Sequence, residues 1–206
     1  MAHGATLGRP RDPGMEHRVE RAACRVYGRQ GWAGFSIDAV AREAGVGKAS
    51  IYLRWSDKKS LLTDALVATL IRVDEVDSGS LRGDLETLAR HHVGYYVGDL
   101  KNAALRMTTE APMTPELRPT WEAWRESQVR TARATVRRGI ARGELAADAS
   151  VTLLLDTLFG AALMHALVTP DELSLHSESD IDDYACALAD FVLAAASLPA
   201  RVNRLT

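Results

Sequence analysis

Cysteine is nearly missing from this chain: Cys24 and Cys186 are the only two in 206 residues. Each falls in a segment whose apolar residues recur at helical spacing. A disulfide framework is therefore not expected, and two buried free thiols suit a reducing cytoplasm. Long apolar runs are lacking as well. No stretch of 18 or more apolar residues occurs, and no charged-then-apolar leader precedes a small-residue cleavage site, so neither a membrane span nor a signal peptide is expected. Nothing alternates as a half-buried strand would, and no internal repeat argues for a solenoid. His91 and His92 are the one pair that hints at metal or acid-base chemistry. Neighbours on a helix point about 100° apart and do not easily share one ion, and no Cys or carboxylate stands nearby at a ligand spacing. No metal, cofactor or catalytic activity is expected.

What remains is 47% hydrophobic and 25% charged, an ordinary globular composition. The charge is unevenly distributed. Residues 1 to 60 carry 11 Lys+Arg against 6 Asp+Glu, a net of +5, while residues 61 to 206 carry 14 against 21, a net of −7. A cationic first third on an anionic remainder fits a small part docking on a polyanion while the rest stays off it. Residues 1 to 14, rich in Gly and Pro, read as a flexible arm, either a solvated tail or one that places Arg9 and Arg11 near a minor groove.

The most specific local signal lies between residues 36 and 58. Ile37, Val40, Ala41 and Ala44 fall at i, i+3, i+4 and i+7, with Ser36 placed as N-cap and Gly45 free to take the left-handed turn that closes a helix. A second short helix, roughly Lys48 to Arg54, follows and packs through Ile51. The pattern is a helix-turn-helix, whose second helix fits a major groove and offers Lys48, Ser50, Tyr52 and Arg54 to phosphates and base edges. A first helix is expected over Met15 to Gln30, stopped by Gly31, and a fourth from Lys58 to about Asp77, capped by Asp57 and long enough to link two bodies. Further helices are expected at about 81 to 98, 101 to 111, 115 to 142, 148 to 168 and 179 to 197. The fold class is thus all-α, about nine helices: a three-helix DNA-binding domain over 15 to 60, then a larger helical domain over 61 to 206.

With these elements placed, residues Arg18 to Leu62 resemble the TetR family of bacterial one-component transcriptional regulators. Ala22-Ala23, Tyr27, Gly31, Phe35-Ser36, Ile37, Val40-Ala41, Ala44-Gly45-Val46, Ser50-Ile51-Tyr52, Trp55 and Lys58 through Leu61-Leu62 stand in that family's order. The resemblance covers about a quarter of the chain. Gly47 departs from a common Ser, and Leu53 and Arg54 occupy positions that vary with the operator. The resemblance implies a homodimer that binds a palindromic double-stranded operator, commonly as a repressor released by a small-molecule effector. It places Tyr52 and Lys58 on phosphates, Ser36 on the backbone, and Lys48, Ala49, Ser50, Leu53 and Arg54 at the groove. Each residue has a plainer alternative: Tyr52 as a core aromatic, Lys58 as a surface cation, Arg54 in a salt bridge to Asp57 or Glu43.

An effector, apolar or aromatic, is expected in the acidic helical part. The residues that qualify are His92, Tyr96, Met107, Glu110, Trp121, Trp124, Gln128, Met164 and His165, which also suit an ordinary core. His92, Glu110, Gln128 and His165 lie on or beside apolar faces, where unpaired polar groups are costly, so they either pair with one another or meet a ligand. The resemblance implies dimerisation through the last two long helices, with Leu154, Leu158, Ala161, Ala162, Leu188, Ala189 and Val192 as the contact. A scaffold that binds only protein is the rival reading, and the cations and hydroxyls of residues 48 to 58 argue against it.

Overall fold

The computed structural model of the chain describes residues 14–70, 76–169, 175 and 177–197. Among the described residues nine α-helices run in order: α1 Met15–Gly34, α2 Ile37–Ala44, α3 Lys48–Tyr52, α4 Lys58–Leu70, α5 Leu81–Gly94, α6 Lys101–Thr109, α7 Arg118–Ala141, α8 Val151–Val168 and α9 Glu178–Ala196. Single 3₁₀ turns at Gly98–Leu100 and Ala111–Met113 flank α6. No strand occurs among the described residues. The expected arm and the stretch that would carry the fourth helix on toward Asp77 lie largely outside the described residues, at 1–13 and 71–75.

Local chemistry sets the helix ends. The Ser36 hydroxyl accepts from the Ala39 N–H at 3.2 Å, so it caps α2. Gly45 closes that helix at φ 66°, with the Val46 N–H reaching Ala41 O at 3.1 Å and the Gly45 N–H reaching Arg42 O at 3.3 Å, the paired bonds of a Schellman end. At α4, Asp57 accepts from the Ser60 N–H at 2.7 Å while the Ser60 hydroxyl accepts from the Asp57 N–H at 3.3 Å. Ser177 and Asp180 form the same reciprocal cap at α9.

Two cores result. The first joins α1 to α4 through Val19, Tyr27, Val40, Ile51, Trp55 and Leu66, all at or near zero exposure, and it extends to Ala103, Met107, Ala111 and Leu117 from α6 and beyond. The second joins α5, α7, α8 and α9 through Leu85, Val136, Leu158 and Ala189. Helix α6 therefore belongs by its packing to the amino-terminal head. Gly28 permits this approach, since a Cβ there would lie 2.9 Å from Ala103 N. In the second core the buried Asp84 carboxylate accepts from Ser78 N at 2.6 Å and Ser78 Oγ at 2.8 Å, and Arg142 reaches it at 3.4 Å. Helix α8 is long and apolar enough to cross a membrane by length and composition alone, yet only Leu154, Leu155, Leu158 and Ala162 of its 18 residues are buried in the subunit.

Helix α1 does not stop at Gly31, as the sequence led us to expect, but breaks there and resumes. Gly31 sits at φ 65°, ψ −178°, a region open essentially to glycine alone. The break separates Gly28 O from Trp32 N, which would bond in a straight helix. Helix α6 and its C-cap Glu110 supply the substitutes: Arg106 Nε donates to Gly28 O at 2.9 Å, the Trp32 N–H donates to Glu110 Oε1 at 2.9 Å, and Arg106 Nη1 joins Glu110 Oε2 at 2.8 Å. A Cβ on Gly31 would meet Arg106 Nη1 at 2.7 Å, whereas one on Gly45 would meet nothing within 4 Å. Gly31→Ala is therefore expected to cost about 2 kcal/mol or more in urea unfolding, from backbone strain and the displaced arginine. Gly45→Ala, with only the left-handed penalty, should lose about 1 kcal/mol. Equal losses would show that the α6 splint adds nothing.

Candidate nucleic-acid interface and effector cavity

The head presents α3 on its outer surface. Ile51 is fully buried and Trp55 is 1% exposed, so these two pin the segment from beneath, and the Trp55 indole N–H is satisfied by Asp64 Oδ2 at 3.0 Å. The residues between and around them point outward. Leu53 is 90% exposed and Tyr52 49%, which removes Tyr52 from the core. Ala49 is exposed and Ser50 half-buried. The regular helix ends at Tyr52 rather than Arg54, and Leu53 and Arg54 form the turn that follows.

The cations of this face are held by the chain's own groups. Lys48 Nζ lies 2.8 Å from Asp38 Oδ1, whose hydrogen bond raises the Lys48 pKa, and 5.9 Å from the centre of the Tyr52 ring. Arg54 pairs with Glu16 at 2.9 Å, not with Asp57 or Glu43, and stacks 5.6 Å from the Trp55 ring. Lys58 turns inward: Nζ donates to Trp32 O at 3.2 Å and Phe35 O at 3.4 Å and sits 4.0 Å over the Trp32 ring. An open cleft of about 330 Å³ brings together Ser36, Lys48, Tyr52 and Lys58 with Asp38, Ser56 and Asp57. The acidic holders Asp38 and Glu16 were not singled out from sequence, because nothing in their spacing says which cation they meet. Exposed ion pairs of this kind contribute little net energy, so a phosphate can replace the carboxylate at small cost.

The residues expected around an effector are only partly gathered. Tyr96, Met107 and Trp124 converge with Leu70, Tyr95, Ala104 and Thr108 on a small, partly open cavity of about 10 Å³, room for about one water. His92 lies behind it, its ring 5.4 Å from that of Tyr96 and 4.6 Å from that of Phe159. Trp121 and Gln128 are half-buried on α7, with Arg125 over the Trp121 ring at 5.3 Å. Glu110 is drawn away into the α1 splint, and Met164 is 51% exposed on α8. His165 is held by Thr169 Oγ1 at 3.1 Å and by the Tyr184 ring at 4.6 Å. The four polar residues thus do not pair with one another. Leu70, Ala104 and Thr108 were overlooked because small or aliphatic residues carry no signal of lining a cavity.

The residues expected at a dimer contact are placed differently from that expectation. Leu154, Leu158, Ala162, Leu188, Ala189 and Val192 are at most 8% exposed and fill the subunit's own second core, while Ala161 is half-buried. They hold α8 and α9 to α5, and their side chains are spent there. The apolar surface of the same two helices consists instead of Leu153, Met164, Leu167, Val168 and Phe191, each more than half exposed.

A capped helix, a Schellman glycine and an outward-facing second helix with clustered cations define a helix-turn-helix protein that binds DNA. Comparison with known proteins agrees. Residues 21–65 match the family described as bacterial regulatory proteins, tetR family, and residues 75–194 match the tetracyclin repressor-like C-terminal domain. The chain belongs to the TetR family of transcriptional regulators, a family of DNA-binding proteins and not of enzymes. It is 28% identical over 172 residues to the HTH-type transcriptional regulator YdeS of Bacillus subtilis, covering 81% of this chain and 85% of that one. It is 29% identical over 168 residues to AqdR of Rhodococcus erythropolis, covering 81% and 80%. Among solved structures, FadR of Bacillus subtilis in complex with stearoyl-CoA shares the fold at a TM-score of 0.67 and 19% identity, over 86% of this chain and 97% of that one.

His92 yields a pH signature. Burial among aromatic rings lowers its pKa from 6.5 to about 4. The unfolded chain takes up a proton below about pH 6.5 that the folded chain refuses until about pH 4, so this contribution is flat above 6.5 and stability falls across that window. Between about pH 7.5 and about pH 5, urea unfolding of the parent protein should lose about 2 kcal/mol more than that of His92→Phe. Identical losses in the two proteins would place His92 in water.

Proposed function

We propose that this chain is a homodimeric repressor that grips an approximately palindromic operator and releases it when a small apolar molecule enters the helical domain. The observation that carries the reading is the tip of the head, where Leu53 at 90% exposure and Tyr52 at 49% stand beside Lys48 and Arg54 on a segment pinned from below by Ile51 and Trp55. Nothing among the described residues covers this face. An Arg fork suits guanine O6 and N7, an exposed aliphatic suits a thymine methyl, and Lys48, Tyr52, Lys58 and the α2 amino terminus capped by Ser36 suit phosphates. Ala49 and Ser50 let the backbone of α3 approach the groove. In this division of labour residues 15–60 read DNA, and residues 61–206 sense the ligand and join the subunits.

Dimerisation is supported by the exposed apolar side chains of α8 and α9. An apolar helix with most of its residues outside the core is costly on a lone subunit, and a second copy docked across a two-fold axis removes that cost. The same axis sets two α3 segments on successive turns of one face of the duplex, which is why the operator would be palindromic. Release is supported by the place of the cavity. Leu70, at the end of the helix that leaves the head, forms part of its wall together with Ala104 and Met107 of α6, which is splinted to α1. A ligand that wedges these apart bears directly on the head, and only its difference in affinity between the two states can drive release. That FadR was solved with stearoyl-CoA supports a small-molecule role for this domain.

A gel shift with DNA from upstream of the protein's own gene should show specific, salt-dependent binding in the nanomolar range. Lys48→Ala and Tyr52→Phe should weaken binding to all sequences several-fold, Lys58→Ala should in addition lower the melting temperature, and Arg54→Ala should also relax base preference by about tenfold. Unchanged binding in all four would remove the assignment. In analytical ultracentrifugation the parent chain should sediment as a dimer and Phe191→Glu as a monomer with weakened operator affinity. A parent chain that stays monomeric at micromolar concentration would reject the two-fold arrangement.

A further inference from the structure

The carboxylates of the head differ in what they hold. Glu43 joins Arg25 and Arg29 and so ties α1 to α2, Asp57 caps α4, and Asp64 takes the Trp55 indole N–H. Each of these secures the fold. Asp38 and Glu16 hold something else: their ion pairs are with Lys48 Nζ at 2.8 Å and Arg54 Nη1 at 2.9 Å, the two outward cations of the α3 face. All four side chains are about half exposed. The two acids reach this face from other elements, Asp38 from the first turn of α2 and Glu16 from the first turn of α1. A carboxylate in a first turn gains from the helix dipole wherever its side chain points. The dipole does not explain why both lie against a cation of α3 and its turn.

A cation held in this way has two anionic claimants. To take a phosphate, Lys48 must leave Asp38, and to take a phosphate or a guanine edge, Arg54 must leave Glu16, so each contact with DNA is an exchange of one anion for another. The carboxylate set free then stands beside a polyanion, and repulsion is added to the bond lost. Resting on the assignment of α3 and its turn to DNA, we infer that Asp38 and Glu16 set the affinity of the head: they compete with the duplex for Lys48 and Arg54 and keep its grip on DNA of any sequence below what the cations alone would give. Neither acid needs to touch a base or a phosphate in this role, since each acts through the cation it holds. The competition is between exposed charges, so each pair lowers affinity by about threefold, the worth of an exposed ion pair. Each acid that Asp38 or Glu16 resembles in charge but that holds the fold, such as Glu43, lies outside this competition.

The test uses the full chain and a fluorescein-labelled duplex of arbitrary mixed sequence, with affinity read by anisotropy at about 50 mM and about 200 mM salt. At the lower salt Asp38→Asn and Glu16→Gln should each bind about threefold more tightly than the parent, and the gain should shrink at the higher salt, where the pair it removes is already screened. Glu126→Gln, which removes the same charge from an exposed position on α7, should bind as the parent does. An acid that only repelled the duplex would give the same gain with or without its cation, so double-mutant cycles decide between the two. The gain from Asp38→Asn should be smaller by about twofold in a Lys48→Met background and undiminished in Arg54→Met, and the gain from Glu16→Gln should show the reverse dependence. No gain in either single variant, an equal gain in Glu126→Gln, or gains indifferent to the matching cation would each overturn the inference. A purely structural role for the acids would lower the melting temperature without tightening binding, which also overturns it. The two pairs are read separately, so a variant that fails to fold leaves the other pair to decide. Weaker binding in Lys48→Met and Arg54→Met with no gain on removing either acid keeps the DNA face and rejects the competition, whereas unchanged binding in both Met variants rejects the face itself.

Discussion

The break in α1 at Gly31 is the constraint on which the arrangement depends. Opening that turn exposes one carbonyl and one N–H that a helix would have joined, and burying them unpaired would cost several kcal/mol in all. Arg106 of α6 and Glu110, the residue just past its end and one turn on, satisfy both and each other. The head is complete only with α6 in place, and α6 is also a wall of the cavity. In the proposed reading α6 is the element that the sensing and reading parts share, and it is held by hydrogen bonds to backbone groups that have no other intrahelical partner.

Electrostatics serves the reading face in a second way. Lys48 and Arg54 are each neutralised by a carboxylate of the head itself, Asp38 and Glu16, on exposed ground where such pairs are weak. The side chains are thereby preorganised without being committed. Elsewhere carboxylates are bound more firmly: Glu43 takes Arg25 at 2.9 Å and Arg29 at 2.6 Å, which lowers its pKa and ties α1 to α2. The contrast between tight internal pairs and loose surface pairs separates residues that hold the fold from residues free to meet a partner.

The head was legible because its signals are local. Ser36, Gly45 and Asp57 act on backbone within four residues of themselves, and Ile51 is the one branched aliphatic side chain of a short helix, so spacing alone placed α2, α3 and the start of α4. Glu110 was misjudged for the opposite reason. It was grouped with the ligand-facing residues because it adjoins apolar positions, yet its partner is Trp32, 78 residues earlier, and no periodicity encodes that pairing. The residues expected at a dimer contact lie in the subunit's own core because of a similar ambiguity. On helices as apolar as α8 and α9, a stripe that packs inward and one that faces out have the same composition, and only the position of α5 tells them apart.

Sequence by itself determined the all-helical class, the helix-turn-helix and the outward placing of Lys48, Tyr52, Leu53 and Arg54, though not of Lys58, since caps, turns and 3.6-residue stripes are short-range chemistry. The tertiary structure alone decided which carboxylate holds which cation and which side of α8 and α9 stays bare. Those depend on distances between residues far apart in the chain, set only when the helices dock.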